Sequence, residues 1–448
     1  MTTGSWGVTF EDWVRARSLA SLGTNAGSDP LPFQSWRRFK EAFAPELVAR
    51  AVRRSAVPVT RCVDPFGGSG TTALACQFLG VHPTSIEVNP FLADLMAAKL
   101  SCYDIDALSH DLGRVLRWSA HMRPSPSFLA GAPQTLIEPG RDGRWVFDAA
   151  VASRIGALLA AISRLHDQKH RRLFRVLVGG SLVDLSNVTI SGKGRRYRKP
   201  WMKRKVSPAD VDAAFRRATA TAIEDIRRYS RRAEQGYTLL LGDARELTCE
   251  LGNFELAVFS PPYPNSFDYT DVYNLELWVL GYLRTPEDNR ALRLSTLSSH
   301  VQILRNYATP PSASPTMRAT LKRLDARTDQ LWSRWIPSML GAYFADVEVI
   351  LRGLAQGLHP KGTVWMVVGD SRYAGVQVPT AEIVSEIASD LGYDVVERQP
   401  FRSMRSSPQQ GGDPSLSETL LVLGPRPASA IHDSGIRLMS RRGTKSAA

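Results

Sequence analysis

The chain has 448 residues, of which 43% are apolar and 22% charged, the profile of an ordinary globular protein with room for roughly two or three domains. A net charge of +13 favours a polyanionic partner, either nucleic acid or an anionic membrane surface. No apolar run approaches the roughly eighteen residues that a membrane span needs, and Met1 to Glu11 lacks a basic region followed by an apolar one, so the expectation is a cytoplasmic protein with neither span nor signal peptide.

Residues 1–30 are polar and rich in Gly and Ser, which predicts a flexible arm with one short helix around Phe10 to Ser21. Phe33 to Arg53 mixes aromatic and helical signals. Val57 to Val63 then reads as a buried strand, and Thr71 to Leu79 as a helix stopped by Gly80. Thr84 to Val88 reads as a second strand and Phe91 to Leu100 as a second helix. Strand, helix, strand, helix in that order implies a parallel sheet with right-handed crossovers.

The pattern changes after Ser101. Residues 101–236 read as an inserted, mainly helical region, with an amphipathic helix over Val151 to Leu165 and another from Ala209 towards Arg232 capped by Ser207. Between His166 and Gly236 stand 18 Lys/Arg against 7 Asp/Glu, so this stretch holds nearly all of the excess charge. Its densest part carries Lys193, Arg195, Arg196, Arg198, Lys199, Lys203, Arg204 and Lys205, interleaved with Tyr197 and Trp201. Cations to neutralise phosphates and rings for stacking or groove contact suit a nucleic acid, and a solvated basic loop is the plainer alternative.

Alternation resumes with strands at Tyr237 to Leu241 and Leu256 to Ser260, a long helix over Met339 to Leu358, a strand at Thr363 to Gly369 and a helix at Ala381 to Leu391. Asp394 to Arg398 and Glu418 to Leu423 fit a closing pair of strands, and residues 425–448 lack apolar anchors and read as a disordered tail. The division is thus 1–30, 31–100, 101–236, 237–424 and 425–448, with the second and fourth pieces forming one α/β domain around the insertion.

Two short runs carry chemistry. Asp64-Pro65-Phe66-Gly67-Gly68-Ser69-Gly70 joins the first strand to its helix, where glycines let backbone N–H groups approach a nucleotide-like ligand, and Glu87 ends the next strand, placed for ribose hydroxyls. Gly68-x-Gly70-x-x-Ala73 also satisfies the dinucleotide fingerprint, which keeps a nicotinamide or flavin oxidoreductase open. The acid at Asp64 argues the other way, since it would repel a pyrophosphate and suits a cationic or amino-bearing cofactor such as S-adenosylmethionine. The second run is Ser260-Pro261-Pro262-Tyr263. An exocyclic amino nitrogen is a poor nucleophile until acceptors hold its hydrogens. A Ser260 oxygen and the Pro261 carbonyl are suited to that, the prolines add no competing N–H, and Tyr263 offers a ring for an extruded base. A simple Pro-Pro turn at a strand end is the bland alternative.

Together the two runs resemble those of the amino-methylating DNA methyltransferases. The Ser form of the second run is similar to enzymes acting on cytosine N4, whereas adenine N6 enzymes usually carry Asp there. The continuation through Asn265 and Tyr269 to Leu275-Glu276-Leu277-Trp278, together with Val368 to Ser371 and Glu418 to Leu421, is similar too, over roughly residues 33–100 and 237–424. The resemblance implies a Rossmann-like, S-adenosylmethionine-dependent methyltransferase fold. Phe66, Gly68 and Gly70 would cradle the cofactor, Glu87 would bind its ribose and Asp243 would approach its adenine. The segment 33–45 would contact the methionine part, and the basic insertion would dock DNA. Double-stranded DNA is the implied partner, a companion restriction endonuclease is admitted, and the protein would join the nucleoid when bound to DNA. The order of the motifs departs from the permuted order common among cytosine-N4 enzymes and keeps adenine N6 open as the target. An RNA or small-molecule methyltransferase, and a catalytically dead DNA-binding relative, are the other readings.

The remaining residue clusters point to no other chemistry. Carbon-5 methylation uses a Cys nucleophile, typically after Pro, whereas Cys76 follows Ala75 on the first helix and reads as packing. Cys62, Cys76, Cys102 and Cys249 lack C-x-x-C spacing and read as small buried or half-buried residues, and the histidines, His359 included, have no paired ligand spacing, so no metal is expected. Asp268 and Asp370 lie near the presumed crevice, where backbone capping is the plainer role.

Overall fold

The computed structural model describes residues 9–15, 17, 21–24, 27–28, 30–38, 41–122, 129, 131–191, 194–405 and 415–427. Its strands, in chain order, are β1 (Arg61–Asp64), β2 (His82–Glu87), β3 (Val188–Ser191), β4 (Gly194–Tyr197), β5 (Thr238–Leu241), β6 (Phe254–Phe259), β7 (Leu358–Gly369), β8 (Ser371–Tyr373), β9 (Val376–Val378), β10 (Tyr393–Arg405) and β11 (Ser415–Pro425). Seven of them form one sheet in the order β10-β11-β7-β6-β1-β2-β5. The five from β5 to β7 pair in parallel, and β11 runs antiparallel between β7 and β10.

Parallel neighbours need crossovers, and helices supply them. Thr71–Phe78 joins β1 to β2, Ile336–Gly357 leads into β7, and Thr380–Asp390 precedes β10. From β1 the chain builds outward through β2 and β5, then returns to the other side of β1 with β6. The order therefore reverses between β1 and β6, and the carboxyl ends of strands at such a switch point open a crevice. This is a Rossmann-like α/β fold of the methyltransferase kind, as the motifs imply.

Side chains alternate across the strands with the period of two that a sheet imposes. Cys62, Leu256, Val258, Trp365, Val367, Leu420 and Val422 face one core; Val63, Ala257, Phe259, Val364, Met366, Val368, Leu421 and Leu423 face the other. The first core is continuous with the helices of the 101–236 region. Val151 and Leu158 of Ala149–Ser163, Phe174 and Leu177 of Gln168–Ser181, and Val211 and Phe215 of Pro208–Arg228 are buried in the same cluster as Leu74 and Leu95. The insertion is thus packed into the sheet's helical layer, and Asp225 locks it there by accepting from the Phe33 amide (2.8 Å) and the Trp36 indole (2.9 Å). Ser207 caps its last long helix as expected.

Other expectations change. The first helix ends at Val14, where Arg15 turns into a left-handed conformation, and its Trp13 is fully buried and stacked on Phe78 at 4.6 Å. That part of the arm is anchored because an indole of this size has more to gain from apolar contact than from water. The strand expected from Val57 starts at Arg61. Cys62 and Cys76 are buried, but Cys102 and Cys249 are exposed. Helices Pro286–Leu294 and Pro315–Asp325 elaborate the chain between β6 and β7 without a sequence motif to announce them. Of the 425–448 tail, residues 428–448 lie outside the described residues. No helix among the described residues is long and apolar enough to cross a membrane.

Candidate active site

The glycine turn is held from three sides. Asp64, at the end of β1, accepts from the Phe66 amide at 2.9 Å, and the Gly67 amide donates to the Ile86 carbonyl of β2 at 2.9 Å. The Gly68 amide donates to Glu87 at 2.7 Å, while the other oxygen of Glu87 accepts from the Asn89 amide at 2.8 Å. Met96 crowds both positions, since a Cβ on Gly67 would lie 2.3 Å from its methyl group, the end of a flexible side chain, and one on Gly70 2.8 Å from its Cγ. Gly70 also has φ +82, which L side chains rarely adopt. Burial pushes Asp64 up to about 6 and Glu87 up to about 7, against the hydrogen bonds that favour their charged forms. Beneath the turn, the fully buried Lys99 donates to the Ser69 carbonyl at 2.8 Å, and burial followed by the neighbouring Arg232 brings it down to about 7.

Asp64, Phe66, Gly68, Glu87, Asp243, Ser260, Pro261, Pro262 and Tyr263 all line one cleft at the carboxyl ends of β1, β2, β5 and β6. Gly70 does not line it. It caps the following helix, so its part is to shape the turn. Asp243 caps the helix Ala244–Leu247 and is paired with Arg245 (Nε at 3.0 Å), which also reaches Asp346 at 3.2 Å. Its carboxylate enters the wall already neutralised by a neighbour. Ser69 Oγ and Thr71 Oγ1, by contrast, are buried beside the cleft with no hydrogen-bond partner, a state that costs free energy until something polar is bound.

At the end of β6, Ser260 Oγ donates to the Val367 carbonyl of β7 at 3.0 Å. Its one proton is committed there, so its lone pairs are available as acceptors. Tyr263 donates to Glu418 of β11 at 2.9 Å, and its oxygen stands 3.5 Å from Ser260 Oγ. Burial, then the adjacent Glu418 charge, raises Tyr263 well above the usual phenol, which keeps it a donor. The loop that follows is tied down by Tyr373, donating to the Pro264 carbonyl at 2.9 Å, and Ser266 passes through the left-handed region.

Both aspartates near the crevice hold structure. Asp268 caps the helix Tyr269–Val272 and pairs with Arg293 at 2.6 Å, and Asp370 accepts from the Thr380 amide and the Gln377 side chain. His300 lines the cleft beside Asp268, and burial lowers it to about 4, so it is neutral at physiological pH. His359 is exposed in β7.

Several wall residues had no clear sequence signal. Within the 33–45 segment, Glu41, Ala42 and Phe43 reach the cleft, and Arg37 pairs at 2.6 Å with the fully buried Glu276 of the Leu-Glu-Leu-Trp run. Tyr273, Ser299 and His300 complete other parts of the wall. Glu418 lay within a recognised run but was read only as part of a closing strand. Among the described residues the lining holds five carboxylates (Glu41, Asp64, Glu87, Asp243 and Glu418), of which Asp243 is paired with Arg245, and no lysine or arginine. Such a wall disfavours a pyrophosphate and suits a ligand with cationic groups.

The basic region forms a hairpin of β3 and β4, and β4 packs against the helix Tyr269–Val272 that walls the cleft. Arg195, Arg196, Lys199, Lys203 and Lys205 are exposed. Arg198 and Arg204 instead donate to the Val183 and Asp184 carbonyls and fasten the hairpin. Tyr197 and Trp201 lie 5.3 Å apart, and Trp201 meets Trp145 at 5.1 Å, so these rings pack mainly with each other rather than standing free between the cations. Lys193 lies outside the described residues.

The Type II methyltransferase M.AvaI of Nostoc sp. is 22% identical over 431 residues, covering 86% of this chain and 84% of that one. The chain is similar to Type II methyltransferases over most of its length. M.BsoBI of Geobacillus stearothermophilus matches at 22% over 437 residues, with 88% and 84% covered. M.MjaII of Methanocaldococcus jannaschii reaches 36%, over 70 residues that make up 16% of this chain and 13% of that one. The resemblance carried by the two motifs therefore extends to the regions between them. No protein-family model matches the chain. Among solved structures, the rRNA methyltransferase aviRa from Streptomyces viridochromogenes matches at 12% identity and a TM-score of 0.28, covering 85% of each chain.

Proposed function

We propose that this protein methylates the exocyclic amino group of a base in double-stranded DNA, with N4 of cytosine as the favoured target and S-adenosylmethionine as donor. The observation that carries the reading is the meeting of the glycine turn and the Ser260–Tyr263 run in one cleft whose described lining residues include five carboxylates and no lysine or arginine. S-Adenosylmethionine supplies an electrophilic methyl group on a sulfonium centre. The acidic wall and the unpartnered Ser69 and Thr71 hydroxyls, beside the Gly67 and Gly68 backbone that lines the cleft, fit that ligand better than a dinucleotide. Glu87 would hold the ribose hydroxyls and the Glu41 to Phe43 stretch the methionine end.

On the substrate side, a flipped base would stack on Tyr263, whose ring is fixed by its bond to Glu418. Ser260 Oγ and the Pro261 carbonyl would accept the two amino hydrogens, drawing the nitrogen lone pair out of conjugation with the ring. Unstacking costs a few kcal/mol, which phosphate contacts from the exposed cations of the hairpin offset. Ser at 260 and the resemblance to enzymes of that type support cytosine N4.

The decisive experiment incubates the protein with duplex DNA and labelled S-adenosylmethionine and analyses the nucleosides by mass spectrometry. N4-methylcytosine is expected. N6-methyladenine would overturn the choice of base, and label in neither nucleoside would overturn the reading.

A further inference from the structure

Resting on that reading, we propose that Leu304, Trp332 and Trp335, with Arg334 between the two tryptophans, form a second DNA-contact surface above the cleft, whose rings stack on bases that flipping leaves unpaired. All three apolar side chains stand in water, at 61%, 51% and 38% exposure. Large apolar groups left open together mark a place where a partner docks. Tyr307, three residues after Leu304, meets Trp335 at 6.2 Å between ring centres. Arg305 accompanies it and donates to the Arg293 and Thr296 carbonyls, both at 2.6 Å, which ties the patch to the loop lining the cleft through Thr296, Ser299 and His300.

Position and charge single out DNA as the occupant. The helix Ile336–Gly357 feeds β7, so it runs against the parallel strands and begins at their carboxyl end, where the cleft opens. Asp346, well inside that helix, stands level with the cleft wall, since it accepts from the Ser298 amide at 2.8 Å and from Arg245, the partner of Asp243. The turns before it span about 15 Å, so Trp335 at the head of the helix projects above the wall, on the side from which a duplex must deliver its base. Residues 301–335 carry six Lys/Arg against two Asp/Glu. Asp271 interacts with the charges of both Arg293 and Arg195 of the hairpin, so the patch continues the basic surface already described. Arg334 lies over the Trp335 ring at 4.9 Å, a pairing of cation and ring that serves phosphate and base together. A second copy of this chain would bring its own +13 against these cations.

The test measures affinity of the full chain, with S-adenosylmethionine, for a duplex that it methylates, across a salt series. Trp332→Ala is expected to weaken binding on the order of 10-fold at every salt concentration, with the slope of log affinity against log salt unchanged, because stacking releases no counterions. Trp332→Phe, which keeps a ring, should stay near wild type, whereas Trp332→Leu should fall with Trp332→Ala. Arg334→Ala should instead lower the slope by about 1. Cofactor affinity by calorimetry and molar mass by sedimentation should match wild type in all four. Wild-type DNA affinity in Trp332→Ala, or in Leu304→Ala should the first variant fail to fold, overturns the surface while a wild-type protein that methylates DNA leaves the proposed function standing. Full affinity in Trp332→Leu overturns the stacking, and a change of molar mass in Trp332→Ala overturns DNA as the occupant in favour of a protein. A wild-type protein that neither binds nor methylates duplex DNA overturns the function and the surface with it.

Discussion

The amide of Gly68 donates to the carboxylate of Glu87 at 2.7 Å, joining the cofactor turn after β1 to the end of β2. The same acid is raised from 4.5 to about 7 by burial. It contributes stability that is fully present below the unfolded value and is lost as pH rises through about 7, because the folded protein then holds a buried charge. Ribose hydroxyls donating to the ionised form would relieve that cost. Affinity for S-adenosylmethionine should therefore rise as pH increases through about 7, with proton release detectable by calorimetry in buffers of different ionisation enthalpy. Glu87→Gln should weaken binding and flatten this upper part of the profile; a flat wild-type profile would count against Glu87 as the ribose ligand.

Replacing Ser260 by Ala or Tyr263 by Ala should lower methyl transfer on the order of 100-fold or more while cofactor binding survives. Gly70→Asp should instead lose cofactor binding, through distortion of the turn, since φ is +82 and a Cβ would press on Met96 at 2.8 Å. Calorimetry and methylation assays on the three variants separate these outcomes, and equal activity in all three would refute the assignment.

The exposed and the fastening cations of the hairpin should differ. Arg195→Ala and Arg196→Ala should each weaken duplex binding and reduce the slope of log affinity against log salt by about 1. Arg204→Ala, which frees the Asp184 carbonyl, should lower thermal stability. Unchanged salt slopes in the first two would place the DNA elsewhere.

Trp13→Ala should destabilise the protein by about 3–5 kcal/mol, the usual cost of emptying a buried aromatic site. Thermal melting checks this, and an unchanged melting temperature would mean that the stacking on Phe78 contributes nothing to stability.

Much of this was legible from local pattern. The glycine turn, the strands on either side and the Ser260 run each have a signature spanning a few residues, and sheet topology brings them together once β1 and β6 are neighbours. Gly70 was misread because ligand contact and turn geometry ask for the same residue. That Tyr197 and Trp201 pack on each other, with Trp145 edge-on to Trp201 from far back in the chain, has no local signature in the sequence. The partnerships of Asp225 with Trp36, of Arg37 with Glu276 and of Tyr263 with Glu418 join residues well over a hundred positions apart, and no periodicity encodes them.

Because β11 slots between β7 and β10 only after both have been synthesised, the residue that braces Tyr263 arrives late. A nascent polypeptide on the ribosome carries every glycine and proline of the two motifs long before Glu418 leaves the exit tunnel. The bond that fixes the Tyr263 ring therefore forms only after β11 has joined the sheet, well after the two motifs themselves have been made.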